Sequence, residues 1–260
     1  MPAVDVEALI EEDKKQELEY IAKPFRFGYE IDVDIDIKKD GLKKEFHNGD
    51  KLWLLKIYSF GAFSINLIYD NFKLGKGSKF YIYNEDRTME LDSFTPELCN
   101  NKDNVFATDL VQGNTIILEY YEPSSSDEGV IHINKVIHGY IDTFSDGYGT
   151  SANCNIDVMC PLENGWDNQK RAVCLIIMGG GMGSGCYINN TSEDFKPYIL
   201  TANHLYFTGS FLVNDPSISI FRFKYFRSGC GAGTGMANYE NIQELLYVRI
   251  TILPILHCLN

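Results

Sequence analysis

The run TANHL, Thr201 to Leu205, closes an apolar, strand-like stretch on a histidine. An imidazole held at the end of a strand can act as a general base. It takes a proton from a serine hydroxyl and returns it to a leaving group, provided a carboxylate orients the ring. A histidine beside a strand is just as readily a packed or surface residue, so its neighbours decide. Beyond His204 the chain has one aspartate, Asp215 in LVNDPS, and a serine of the right texture, Ser228 in RSGCGAG. Asp215 sits in a loop next to Pro216, and Ser228 lies beside Cys230. A nucleophilic serine needs a glycine-rich turn whose N–H groups form an oxyanion hole, and neither segment supplies one. The sequence therefore offers a base without an assignable carboxylate or nucleophile.

Other candidate chemistry is weaker. GAGTG, Gly231 to Gly235, lacks the strand–loop–helix setting and spacing of a nucleotide-binding loop. Asp32, Asp34 and Asp36 alternate along EIDVDIDI, which fits a solvated strand face better than a calcium site. Asn189 and Asn190 begin overlapping N-x-S/T sequons, marking a surface loop. Of the 7 cysteines, Cys154, Cys160, Cys174, Cys186 and Cys230 cluster in the second half, which suggests disulfides in a secreted domain. No spacing reads as a zinc site, so no metal and no cofactor is expected. A net charge of −13 argues against nucleic acid and anionic membranes as partners. The acidic start MPAVDVEALIEEDKK has no apolar core of a signal peptide, and no run is long enough for a membrane helix.

The elements that must position these residues read as all-β. Residues 4–21 suggest a short, weakly amphipathic helix, so 1–23 is an N-terminal arm. From 24 to 145, period-two alternation in EIDVDIDI is followed by strand-length runs such as KLWLLKIYS, KFYIYNED and TIILEYYEP. HNGD, KLGKGS, NEDRT and PSSSDEG punctuate them. That is a β-sandwich or jelly roll. Residues 146–153, rich in Gly, Ser and Asp, read as a linker before a second β-rich unit over 154–260. Three successive glycines, Gly179 to Gly181, suggest a loose hairpin there.

The second unit resembles a known family. CNIDVMCP, GWDNQKRAV, YINNT and KPYILTANH occur in the order and spacing of the lysyl endopeptidase branch of the trypsin-like serine proteases. GAFSINLIYDNFKL, FATDL and VIHGY are similar to the N-terminal region of bacterial members. The resemblance implies a partial trypsin-like β-barrel, with His204 as general base. Cys154 and Cys160 fall on two early half-cystines, and Cys230 on the partner of Cys160. The partner of Cys154 is missing. The family carries a cysteine just after the histidine, where this chain has Leu205; its partner position is Gly183. The aspartate and serine segments are not recognisable, and from about residue 231 the resemblance fades into the apolar run LLYVRITILPILHCLN. The chain thus reads as C-terminally truncated.

The resemblance implies membership of a secreted serine endopeptidase family acting on proteins or peptides, with this chain catalytically incomplete. The alternative is a non-catalytic sandwich serving as a propeptide-like, binding or adhesion module. Lacking a second barrel to cover it, the unit over 154–260 is expected to be marginally stable and the sandwich to fold by itself.

Overall fold

The computed structural model describes residues 1–18, 23–144, 156–161, 165–194, 196–208, 211–230 and 240–242. The linker, Cys154, GAGTG and the C-terminal apolar run lie outside the described residues.

The fold is all-β. After helix α1 (Val6–Leu18) come β1 (Phe25–Arg26), β2 (Gly28–Asp36), the short helix α2 (Ile37–Asp40), β3 (Leu42–Glu45), β4 (Lys51–Tyr58), β5 (Ser64–Lys73), β6 (Lys79–Asn84) and β7 (Glu90–Phe94). A turn of helix, α3 (Pro96–Cys99), leads to β8 (Phe106–Ala107), β9 (Val111–Gln112), β10 (Thr115–Glu122) and β11 (Val130–Gly139). The second half holds α4 (Asp167–Ala172), β12 (Val173–Met178), β13 (Gly181–Ile188), β14 (Tyr198–Thr201), β15 (Phe207–Thr208), β16 (Phe211–Leu212), β17 (Ile220–Phe223) and β18 (Glu240–Ile242).

These strands make three stacked antiparallel sheets and a small β15–β16 hairpin. The front sheet runs β3-β4-β10-β6-β7, and the middle sheet β2-β11-β5-β8 with β9 also on β5. The back sheet runs β1-β13-β12-β17-β18, with β14 added to β13. Side-chain parity explains the stacking. From the front, Trp53, Ile57, Phe80, Ile82, Leu118 and Tyr120 meet Ile65, Leu67, Tyr69, Phe72, Ile133 and Val136 of the middle sheet in the largest core. Its aromatic members interlock, with Phe72 stacked on Phe106 at 4.3 Å and Trp53 on Tyr120 at 5.6 Å between ring centroids.

The other face of the middle sheet is covered at one end only. There Phe27, Ile68, Leu110 and Ile137 pack against Ile177, Met182 and Ile220 of the back sheet. On the far side of the back sheet, Cys174, Ile176, Met178, Leu205, Tyr206, Phe221 and Phe223 form a third core. In β12, Cys174 to Met178 are apolar because alternate residues serve these two cores, while Val173 at its start is exposed. EIDVDIDI alternates because that end of β2 faces water.

Two features tie the halves together. Phe25 and Arg26, at the start of the sandwich sequence, pair with Met182 and Gly181 of the back sheet. Asp109, in the loop between β8 and β9, makes a bidentate ion pair with Arg222 of β17. Both residues are about 1% exposed. Dehydrating two charges is costly, and the two-point geometry offsets it only while both partners are present. The sequence predicts a back sheet without a cover; the middle sheet provides one.

The glycine-rich hairpin is tightly packed rather than loose. A side chain on Gly180 would overlap the Gly28 carbonyl oxygen and come within 2.9 Å of its carbon, because Phe27 N–H and Gly28 N–H both donate to the Gly180 carbonyl. The close backbone approach of the sandwich to the β12–β13 turn therefore requires glycine.

Candidate active site around His204

His204 lies in a single 3-10 turn, Asn203–Leu205, directly after β14. Ala202 is still extended, and the turn closes through Leu205 N–H to the Ala202 carbonyl at 3.2 Å and Tyr206 N–H to the Asn203 carbonyl at 3.1 Å. Its anchors come after the histidine. Leu205 and Tyr206 are buried in the third core. The Tyr206 hydroxyl donates to Ser219 Oγ at 3.1 Å, and burial pushes its pKa up to about 12. Asn214 Nδ2 donates to the Leu205 carbonyl at 2.6 Å, and Val213 N–H to the Tyr206 carbonyl at 2.8 Å. The turn is held firmly, and His204 within it is half-buried. Among the described residues His204 has no hydrogen-bond partner, so no carboxylate or hydroxyl there completes a relay.

The other candidates are engaged elsewhere or lie apart. Asp215 caps the turn Pro216–Ile218, accepting from Ser217 N–H at 2.9 Å and Ser217 Oγ at 2.7 Å. Ser228 is exposed beside a disulfide that joins Cys160 to Cys230, whose Cα atoms are 4.5 Å apart. Arg227 and Asp157, 4.0 Å apart, flank that bridge. Closing a 70-residue loop contributes about 4 kcal/mol in the loop-entropy picture. Cys174 is a buried thiol whose pKa is pushed up to about 12 by desolvation. Cys186 is a half-buried thiol outside any disulfide.

One contact next to His204 bears directly on the resemblance. A Cβ built on Gly183 would overlap Leu205 Cδ2 and sit 2.7 Å from Leu205 Cγ. The positions where the resembled family carries paired cysteines lie against each other here, with a leucine filling the room over a glycine.

The acidic face of β2 is also accounted for. Asp34 meets His132 Nε2 at 2.7 Å while Asp70 meets Nδ1 at 2.5 Å. Asp32 is 3.5 Å from Lys135, and Asp36 accepts from Lys38 N–H at 2.9 Å. Each aspartate is used by a neighbour: Asp32 and Asp34 in cross-strand pairs, Asp36 as the N-cap of α2. Asn190 accepts from Ser192 N–H and donates to Asp194 in the exposed β13–β14 loop.

Sequence reasoning missed Asp109–Arg222. The available signal was an arginine inside the apolar run ISIFRF and an aspartate in FATDL, each needing a partner if buried.

Residues 148–250 match the family described as "Lysyl endopeptidase, C-terminal domain". Among solved structures, Arthrobacter globiformis T6 isomalto-dextranse complexed with panose is similar at 17% identity and a TM-score of 0.18. That match covers 38% of this chain and 18% of that chain, and carries no argument about fold or function. Among the described residues no helix is long and apolar enough to cross a membrane. Through residues 148–250 the chain is lysyl endopeptidase-related.

Proposed function

We propose that the chain comes from a secreted, trypsin-like serine endopeptidase lineage of lysyl endopeptidase type, and that by itself it does not hydrolyse peptides. In this reading residues 1–23 form an arm and 24–145 a sandwich whose first strand reaches into the back sheet. Residues 146–153 link it to an incomplete protease unit over 154–260. His204 is the general base that would take the proton of a serine hydroxyl and return it to the leaving amine of a protein or peptide substrate. Without a serine to activate, the base alone gives almost nothing, because the members of such a triad act as a unit. Export would agree with the Cys160–Cys230 bridge, which persists in oxidising compartments.

The observation that carries this reading is the Leu205–Gly183 contact beside the histidine. It supports the residue-by-residue placement of His204, because the resembled family carries a cysteine pair at these two positions. The test is labelling of the purified chain with a fluorophosphonate probe, which reacts with an activated serine. No labelling, and no turnover of a lysyl peptide, is the expected result. Labelling that is lost in His204→Ala would overturn the incompleteness.

The non-catalytic reading is favoured by a different observation. The sandwich shields the back sheet through an apolar core and the buried Asp109–Arg222 pair, as a propeptide-like scaffold would. It predicts that the sandwich added in trans speeds refolding of 154–260.

A further inference from the structure

Helix α1 rests on the junction of the two halves and contributes to none of the three cores. It buries no side chain, so apolar burial does little to keep it there. Its hold is polar and converges on one residue of the junction. Arg26, on the strand that pairs with β13, donates from Nε to Asp13 at 2.9 Å. From Nη2 it donates to Glu12 at 2.8 Å and to the Leu9 carbonyl at 3.3 Å. Asp13 also accepts from the Tyr140 hydroxyl at 2.5 Å and lies 3.8 Å from Lys23 Nζ, which donates to Gln16. The Asp13, Lys23 and Arg26 side chains are 22%, 28% and 29% exposed, so water and salt compete for these contacts. A helix of 13 residues is marginal by itself in water, so α1 unwinds once it leaves them. The same contacts close one side of a cleft of about 350 Å³. Gln16 of α1, Lys23, Arg26 and Glu30 line it together with Gly180 and Asn214 of the second half. Asn214 is the residue that holds the Leu205 carbonyl, next to His204.

We propose that α1 is a detachable strap over this cleft, held by the contacts of Asp13 with Arg26, Tyr140 and Lys23, and that it opens while both halves stay folded. Opening removes the Gln16 wall and frees the Lys23 amine. It disturbs neither half, because α1 belongs to no core. A strap held by a few partly exposed charges leaves about 1–10% of molecules open. Salt shifts that balance toward the open state, since it screens these pairs and has little to act on in the apolar cores.

The experiment is hydrogen exchange of the full chain, read by mass spectrometry on peptides from α1 and from β10, with acylation of Lys23 by a succinimidyl ester as a second readout. The α1 amides should exchange through an opening that leaves β10 protected. Their rate, and that of Lys23 acylation, should rise as salt is raised from ~20 mM to ~500 mM. Asp13→Ala should speed both by about 10-fold, although alanine is the better helix former. Glu11→Ala removes the same charge from an exposed position of the same helix and should change neither. Should Asp13→Ala disturb the fold, seen as faster exchange in β10, the salt series on the unaltered chain decides instead. Three results would overturn the proposal. One is α1 exchanging only as fast as β10 at every salt concentration. Another is an equal effect of the two variants. The third is Lys23 acylation that stays constant while α1 exchange accelerates, since the helix would then fray without uncovering the cleft.

Discussion

The two faces of the middle sheet do opposite things with the same materials. Toward the front sheet it buries a wide aromatic and aliphatic core, closed by the Tyr69, Phe72, Phe80 and Phe106 cluster. Toward the back it is apolar at one end and lined with ion pairs at the other. Even the ion pairs divide. Asp32–Lys135 and Asp34–His132–Asp70 lie at the surface, where water competes, whereas Asp109–Arg222 is sealed between sheets. The sandwich carries its own core. The back sheet depends on a covering sheet, a buried charge pair and a leucine seated on a glycine. Burial, more than charge, sets what each pair is worth.

The sharpest way to break this contrast is to remove one half of the sealed pair. Arg222→Ala should cost about 3–5 kcal/mol, because Asp109 stays buried while losing its bidentate partner. Urea unfolding monitored at Trp53 in the sandwich and Trp166 beside the back sheet should then separate into two transitions, with the back sheet first. A single transition at the unaltered midpoint would show that the pair does not tie the halves.

A smaller loss is expected for Gly183→Ala, at about 1–3 kcal/mol, as the new methyl displaces Leu205. Adding Leu205→Ala should cost less than the sum of the two single changes, since the residues share one space. Additive costs would deny the contact.

Within the sandwich, Glu122 is nearly buried and accepts from Lys38 Nζ at 2.8 Å, Tyr120 OH at 2.9 Å and Gly129 N–H at 3.0 Å. Burial works against its charge, but these three donors prevail and hold its carboxyl below the ordinary value. Its stabilisation is therefore complete above the unfolded pKa near ~4.3 and is lost as pH falls through the lower folded value. Glu122→Gln should flatten the acid limb of the stability curve, measured by thermal melts from pH 3 to 6 (the range bracketing ~4.3).

The smallest effect belongs to His132. Hydrogen bonds donated to the carboxylates of Asp70 and then Asp34 raise its pKa. The imidazolium contributes fully below the unfolded value near ~6.5, and the contribution fades as pH rises through the higher folded pKa. With Asp34 almost wholly exposed, His132→Gln should change stability by no more than about 1 kcal/mol, and only on the acid side.

Much of this fold is legible in the residues. Alternation in EIDVDIDI gives a half-wet strand, and the apolar run CLIIM reflects a strand packed on both faces. The helix expected over 4–21 is found at Val6–Leu18, where it buries no side chain and is clamped by Arg26 to Asp13 and Glu12. The hidden features depend on distant approach. A two-residue strand such as Phe25–Arg26 has no period to detect. GGGMGSGC looks loose until the backbone of Gly28 and the side chain of Leu205 are seen pressing on it. The histidine is legible as a candidate because its context is local; its surroundings are not, because they come from distant strands of the back sheet and from the loop before β17.

The central claim is that residues around His204 keep the arrangement of the family they match. The most direct measurement is disulfide mapping of the double variant Gly183→Cys, Leu205→Cys after oxidative purification. Peptide mass analysis should find a 183–205 crosslink together with the Cys160–Cys230 bridge. Two alkylatable cysteines at 183 and 205, in a chain that retains its Cys160–Cys230 bridge, would contradict the account.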